Sequence, residues 1–362
     1  MQQQGLTRLA LQKFKKNFWG VSSLGFIVFL AFVSVFAYVL APDSSQFANQ
    51  MHLSIHSKQP GFTVDMLMIP NSSANSQGFL NRLFFGSKNP PMEIPITSCN
   101  FGPHQIKYIE YASEGLDTLE KTIDISTELE ASLRPFVTQK TFYFGTDKYG
   151  RDLLSRILVG ARISFSIGFV AVFISLIIGI LLGSIAGYFG GRWDKLIMWI
   201  INVTWSIPTL LLVIAITLAL GKGFWQVFIA VGLTMWVEVA RIVRGQVMSV
   251  KEMQYVTAAR ALGYTDFRIV FKHILPNILA PVIVISAANF AAAILIESGL
   301  SFLGIGAQPP MSSWGAMIKD HYNYIILGKP YLALIPGFCI MSLVMAFMLI
   351  GNSLRDSLDV KS

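Results

Sequence analysis

Catalysis needs nucleophiles, acids, bases or metal ligands at working spacings, and this chain of 362 residues offers few. No Walker A loop is present, so no nucleotide site of that kind belongs to the chain itself. Cys99 and Cys339 and the five histidines follow no metal-ligand spacing. No serine, histidine and acid are arranged as a triad. We expect no catalytic residue and no bound metal or cofactor. The groups that stand out are ionisable residues inside apolar runs, because a charge there is costly and marks a functional position by default. Arg162 opens one run and Glu297 lies late in another, both toward the same side. They are candidates for an ion pair tying two helices, with independent snorkelling to water as the alternative. Glu238 and Arg241, three residues apart, are expected to pair along one helix.

A second set of residues points to recognition. The polar, basic segment Tyr255–Asn277, YVTAARALGYTDFRIVFKHILPN, stands between two long apolar runs. Helical spacing puts Tyr255, Ala258, Ala259 and Leu262 on one face, with Thr257 beside them. Small Ala258 and Ala259 permit close approach, and Gly263 can end the helix in a left-handed conformation. Thr265 or Asp266 is placed to cap a second helix running through Phe267, Ile269, Val270, Phe271 and Ile274. Leu275-Pro276 marks its end. The expectation is a helix-turn-helix at a membrane surface, read as a docking element for a partner rather than a free interfacial helix. His273 reads as a surface or docking residue rather than a base.

A third cluster lies in Phe144–Gly168, FGTDKYGRDLLSRILVGARISFSIG. Gly145 and Gly150 permit a tight turn. Asp147 and Asp152, with Arg151 between them, are placed to cap the start of a helix, where backbone N–H groups lack partners.

The elements that must position these residues follow from composition. The chain is 53% hydrophobic and only 13% charged, with mean hydropathy +0.57. Soluble domains carry about 25% charged residues, so this is a polytopic membrane protein. Its net charge of +8 comes from short basic loops between apolar runs, and no nucleic-acid motif accompanies it. A bilayer core needs about 20 apolar residues per helix. Six segments qualify: 18–40, 163–188, 196–221, 224–243, 278–306 and 330–354. The first exceeds the length of a signal-peptide apolar core and is followed by Pro42, so we read it as an uncleaved anchor.

With the N-terminus in the cytoplasm, the inner loops hold most Lys and Arg, including Lys13, Lys15, Lys16, Arg192, Lys195, Arg260, Arg268 and Lys272. The short outer loops hold Lys222, Lys319 and Lys329. That bias sets the orientation. It gives a cytoplasmic N-terminus at 1–17, a first span at 18–41, an outer insertion at 42–140, a membrane core at 141–354 with a cytoplasmic loop at 244–277, and a cytoplasmic C-terminus at 355–362.

The outer insertion is punctuated by turn residues such as Pro60-Gly61 and Pro90-Pro91. Apolar residues near period two from Phe62 to Ile69 predict a strand, and 110–133 is expected to be partly helical. We read a small α+β subdomain, serving as a structural cap or as a docking surface. Asn71-Ser72-Ser73 matches a weak glycosylation motif.

From Phe144 to Val360 the chain resembles the permease subunits of the dipeptide/oligopeptide/nickel ABC-importer family. The resemblance rests on the Phe144–Gly168 run, on Ala258, Ala259, Gly263, Leu275 and Pro276, and on three further stretches. These are AGYFGGRWD at 186–194, ESGLSFLGIGAQPPMSSWGAMI at 297–318 and GNSLRDSLD at 351–359. Thr257 stands where the family usually has Glu, and the outer insertion is longer than usual. The resemblance implies a type I importer permease fold, a second homologous permease, two ATPase subunits that bind ATP and Mg, and an extracytoplasmic substrate-binding protein. It also implies that Tyr255–Asp266 couples ATP-driven closure to the pathway. Peptides, nickel chelates or another small solute are the cargo classes it allows. A stand-alone secondary transporter is the competing class; it would show internal repeats, which this chain lacks. An intramembrane enzyme would need more convergent polar residues than Glu238 and Glu297.

Overall fold

The computed structural model describes residues 2–70, 78–102, 105–112, 120–124, 135–221 and 223–358. The motif Asn71-Ser72-Ser73 and Lys222 lie outside them. In chain order the elements are α1 (Gln2–Lys16), α2 (Phe18–Val35), α3 (Ala37–Leu40), β1 (Phe62–Ile69), α4 (Phe79–Phe85), β2 (Met92–Phe101), β3 (Gln105–Glu110), β4 (Glu120–Asp124), β5 (Phe136–Phe142), α5 (Leu153–Phe189), α6 (Gly191–Trp205), α7 (Thr209–Leu220), α8 (Phe224–Lys251), α9 (Gln254–Ala261), α10 (Asp266–Ile269), α11 (Leu279–Phe302), α12 (Trp314–His321) and α13 (Tyr331–Leu358). Five helices are long and apolar enough to cross a membrane, or six if α6 and α7 count as one broken span. The chain divides into two compact units, one of 1–30, 164–308 and 339–362 and one of 31–163 and 309–338.

The first unit is helical, and one close crossing organises it. Gly179, Gly183 and Gly187 recur every four residues, so they form one stripe along α5. A Cβ on Gly183 would lie 2.5 Å from the Ala240 carbonyl oxygen and 2.9 Å from Val243 Cβ, both on α8; one on Gly187 would lie 2.7 Å from the Arg244 oxygen. Gly232 on α8 returns the fit against Ile174 and Ala171. Small residues let two backbones approach, which is how helices pack where lipid removes the hydrophobic drive between them. Farther along, Phe165 and Phe169 meet Phe290 of α11, and Phe290 stacks on Phe347 of α13 at 3.9 Å between ring centres.

The segment expected as one span at 196–221 is α6 and α7, bent by 93°. Pro208 sits at the break. It has no N–H to donate and its ring clashes with the preceding turn, so the helix cannot continue straight through it. A further span proline, Pro336, lies early in α13, and the helix continues through it.

The second unit carries a five-stranded antiparallel sheet of order β4-β3-β2-β1-β5. The strand expected at Phe62–Ile69 is β1. Its alternation serves both faces of the sheet: Val64 and Met66 pack with Ile55 and Phe142, whereas Leu67 packs with Ile94, Ile96 and Ile106. The helical expectation for 110–133 is corrected where that stretch is described. β3 ends at Glu110, and β4 completes the edge by pairing Lys121 with Tyr108 and Thr122 with Lys107. Sheet pairing overrode local propensity there.

The α5–α8 crossing predicts its own test. Gly183→Leu forces a side chain into backbone, and overpacking of this kind costs about 1–3 kcal/mol. We expect the purified variant to unfold at lower temperature in detergent than Gly245→Ala, whose site is open. Equal melting temperatures would refute the crossing.

Candidate functional site

The insert between α8 and α11 is built onto the first unit. α8 ends at Lys251, and α9 follows from Gln254. The chain then turns through Gly263 at φ +77°. There Tyr264 N donates to Ala259 O at 3.2 Å and Gly263 N to Arg260 O at 3.0 Å, the paired bonds of a Schellman ending. Thr265 adopts an extended conformation at the start of α10 but its side chain makes no cap bond. Asp266 points elsewhere: its Oδ1 accepts from the Tyr188 hydroxyl at 2.6 Å. The second helix is α10 followed by a wider turn through Val270–Ile274. Leu275–Asn277 makes a single tight turn with Pro276 at its start, where a missing N–H leaves no bond unmade.

The two faces of this insert differ from the sequence expectation. Val256 and Ala259 are buried, in one core with Tyr188, Val243, Val247, Ile269, Val270, Ile274 and Ile278, and Leu275 packs against it. Tyr255, Thr257, Ala258 and Leu262 are exposed, and so are Phe267 and Phe271. Ala258 and Ala259, about 100° apart around the helix, therefore serve different faces. Val256, unnoticed in the sequence, is the buried anchor; its i, i+3 relation to Ala259 is the signal that could have found it. Leu262 is 74% and Phe267 72% exposed.

Several contacts hold the insert to the end of α5. The Tyr188 ring carries Arg260 at 5.7 Å and Lys251 at 5.9 Å. Arg268 lies 4.3 Å over Tyr264, whose ring stacks on His273. Burial raises the Tyr255 hydroxyl pKa above its ordinary value. Close by, Arg244 Nε and Nη2 form a two-pronged pair with Asp194 at 2.5 and 2.7 Å. Tyr188 directly follows Gly187 of the glycine stripe, so insert and crossing share one stretch of α5.

In the second unit, the Phe144–Gly168 run forms a buried polar knot. Asp147 is wholly buried. Its Oδ1 accepts from Tyr149 N at 2.8 Å and Arg151 N at 2.9 Å, and Oδ2 meets Arg151 Nε at 2.6 Å and Arg156 Nε at 3.6 Å. Asp147 is thus not a helix cap, as expected, but the counter-ion of two buried guanidinium groups. Asp152 is the cap: Oδ2 accepts from Ser155 N at 2.9 Å and from the Ser155 hydroxyl. Burial raises its pKa above the ordinary carboxylate value. Gly145 and Gly150 take φ +77° and +74°, and a side chain on either would strike the backbone at Lys58–Pro60 or His52.

The loop after α11 closes over this knot. Lys148 Nζ pairs with Asp320 at 3.0 Å, and Lys148 N donates to His321 Nε2 at 3.4 Å. His321 Nδ1 lies 2.7 Å from Met317 O, which assigns the proton to Nδ1. Burial holds this imidazole below its ordinary pKa against the pull of Asp147. Trp314 Nε1 donates to Ile157 O and Ser312 Oγ to Arg156 O, each at 3.0 Å.

The ionisable residues of the apolar runs have these neighbours. Arg162 Nη1 donates to Leu83 O at 3.0 Å, and its guanidinium lies 4.9 Å over Tyr38. Glu297 accepts from Ser301 at 2.6 Å. The expected Glu238–Arg241 pair does not form. Arg241 lies 3.7 Å over the Trp205 ring and donates to Asn202 at 3.4 Å, because stacking on α6 is available to a flat guanidinium.

These features define a polytopic α-helical membrane protein with a packed insert between α8 and α11 and a small antiparallel sheet. The sequence model of the binding-protein-dependent transport system inner membrane component family matches residues 179–360. That of the N-terminal TM domain of oligopeptide transport permease C matches 5–60. The dipeptide transport system permease protein DppC of Alkalihalophilus pseudofirmus is 46% identical over 220 residues, covering 60% of this chain and 72% of that protein. The glutathione transport system permease protein GsiD of Escherichia coli O157:H7 is 42% identical over 219 residues, covering 60% and 72%. A solved chain of the inward-facing MetNI methionine ABC transporter is similar with TM-score 0.47 and 18% identity, covering 56% of this chain and 95% of that one. The chain belongs to the binding-protein-dependent transport system inner membrane component family.

The buried knot predicts a large effect from a small change. Asp147→Asn leaves Arg151 and Arg156 buried without a counter-ion, which costs about 3–5 kcal/mol. We expect a marked drop in the melting temperature of the purified chain, against little change for exposed Lys121→Gln. Unchanged melting of the Asp147 variant would show that the knot is not structural.

Proposed function

We propose that this chain is a permease subunit of an ATP-driven ABC importer for di- or oligopeptides. It forms the pathway with a second homologous permease. The names of its relatives support the peptide reading, since they include dipeptide and glutathione permeases. The chain itself is not an enzyme and holds no cofactor. Two partner ATPase subunits bind ATP and Mg and hydrolyse the nucleotide. An extracytoplasmic binding protein delivers cargo to the outer side. The chain is a multi-pass protein of the bacterial cytoplasmic membrane, with both termini and the insert in the cytoplasm, as the basic loops favour.

One observation carries the coupling role: the insert is two-faced. Its inner face is bound into the core at the α5–α8 crossing, and its outer face leaves Tyr255, Ala258, Leu262 and Phe267 exposed. A partner that grips the outer face moves the crossing with it, because Ala259, Asp266 and Tyr188 leave little slack between them. Thr257 lies on the exposed side, where it meets the partner rather than supporting the helix. Coupling requires that the partner contact this face differently in its two states.

The burial of Ala259 decides which variants test the role. A bulky residue there damages the chain's own core, so Leu262→Arg is the cleaner change. We expect it to leave membrane insertion and melting temperature unchanged. We also expect it to reduce co-purification of the ATPase subunits in mild detergent at least tenfold, and to abolish peptide uptake. Full uptake by this variant would sink the coupling role.

A further inference from the structure

α8 presents a carboxylate that the fold does not use. Glu238 is exposed on the chain, and among the described residues it joins no ion pair. Its helical neighbours Val239 and Ala240 face the glycine stripe, so Glu238 lies on another side of α8. It sits six residues before Arg244, which is roughly 9 Å along the helix axis and inside the apolar span. A carboxylate facing lipid at such a position is costly, and intramembrane acids face a bundle interior or a watered cavity.

Such a cavity is present. Glu238 lines a space of 170 Å³ with Thr204, Trp205, Thr209, Thr234 and Ile296. Thr204 and Thr234 have already committed their protons, donating to Ile200 O at 2.9 Å and Val231 O at 2.8 Å. Their oxygens therefore remain as acceptors. Arg241, the nearest cation along the helix, is held away on Trp205 and Asn202. The lining thus offers one negative charge and hydroxyl acceptors, with no cation directed into it. It matches a small group that carries positive charge and several N–H donors.

We infer that Glu238 and its threonines form a pathway subsite for a primary ammonium group, that of the N-terminus of a peptide in transit. The inference rests on the peptide-importer reading. The space accommodates an ammonium and the atoms next to it, not a whole chain. One carboxylate with hydroxyl support also suits a group that must be held briefly and released.

The test uses the complete complex in proteoliposomes: this chain, the second permease, the ATPases and the binding protein. Uptake of a labelled dipeptide and ATP hydrolysis stimulated by loaded binding protein are measured together. A charge-assisted hydrogen bond is roughly twice as strong as a neutral one. We expect Glu238→Gln to slow uptake about tenfold while stimulated hydrolysis and recovery of the second permease stay normal. Glu238→Asp, which keeps the charge, should retain most uptake. Wild-type uptake by Glu238→Gln would overturn the subsite. Loss of the second permease from that variant would also overturn it, and would make Glu238 one half of an inter-subunit ion pair. A wild-type complex that takes up no dipeptide would sink the cargo reading and the subsite with it, a failure visible before any variant is compared.

Discussion

The close approach of α5 and α8 is the constraint on which the rest of the first unit depends. Three glycines four residues apart remove every side chain from one edge of α5, and the valines of α8 fill the space. In lipid, where apolar side chains gain nothing by leaving the tails, such backbone-to-backbone packing is a main source of helix association. Because the fit is close, the two helices cannot slide independently. The insert between α8 and α11 begins at the end of α8 and is bound by Tyr188 to the end of α5. It therefore reports on both helices at once.

That arrangement explains why the insert has two chemistries. Its inner residues are small or branched and fully buried, as a rigid attachment requires. Its outer residues are aromatic or aliphatic and stand in the open, which is unusual for a surface with no partner. Asp266 illustrates the economy of the design. The residue type suits a helix cap, yet its carboxylate serves the Tyr188 hydroxyl, so the second helix starts where α5 dictates.

The second unit solves a different problem. The start of α5 brings Arg151 and Arg156 out of water together, and two buried guanidinium groups repel one another. Asp147 resolves this by accepting backbone and side-chain bonds at the same time. The loop carrying Asp320, His321 and Trp314 then seals the site from the other side. Burial keeps His321 below its ordinary pKa despite the pull of Asp147 and Asp320, so the neutral imidazole suits this closed site.

The sequence by itself determined the membrane class, five of the apolar spans, the strand at Phe62–Ile69 and the turn at Gly263. These follow from local physics: apolar length against bilayer thickness, period-two alternation, and the steric freedom of glycine at positive φ. The glycine stripe was legible in spacing alone, but its partner was not, since nothing local names Val243 or Ala240 as the surface it meets. Only the tertiary structure decided that Ala258 and Ala259 part company, that Asp147 neutralises two arginines, that Arg241 abandons Glu238 for Trp205, and that residues 120–124 pair as a strand. Each of those outcomes was set by a neighbour distant in sequence, so short-range pattern had no access to it.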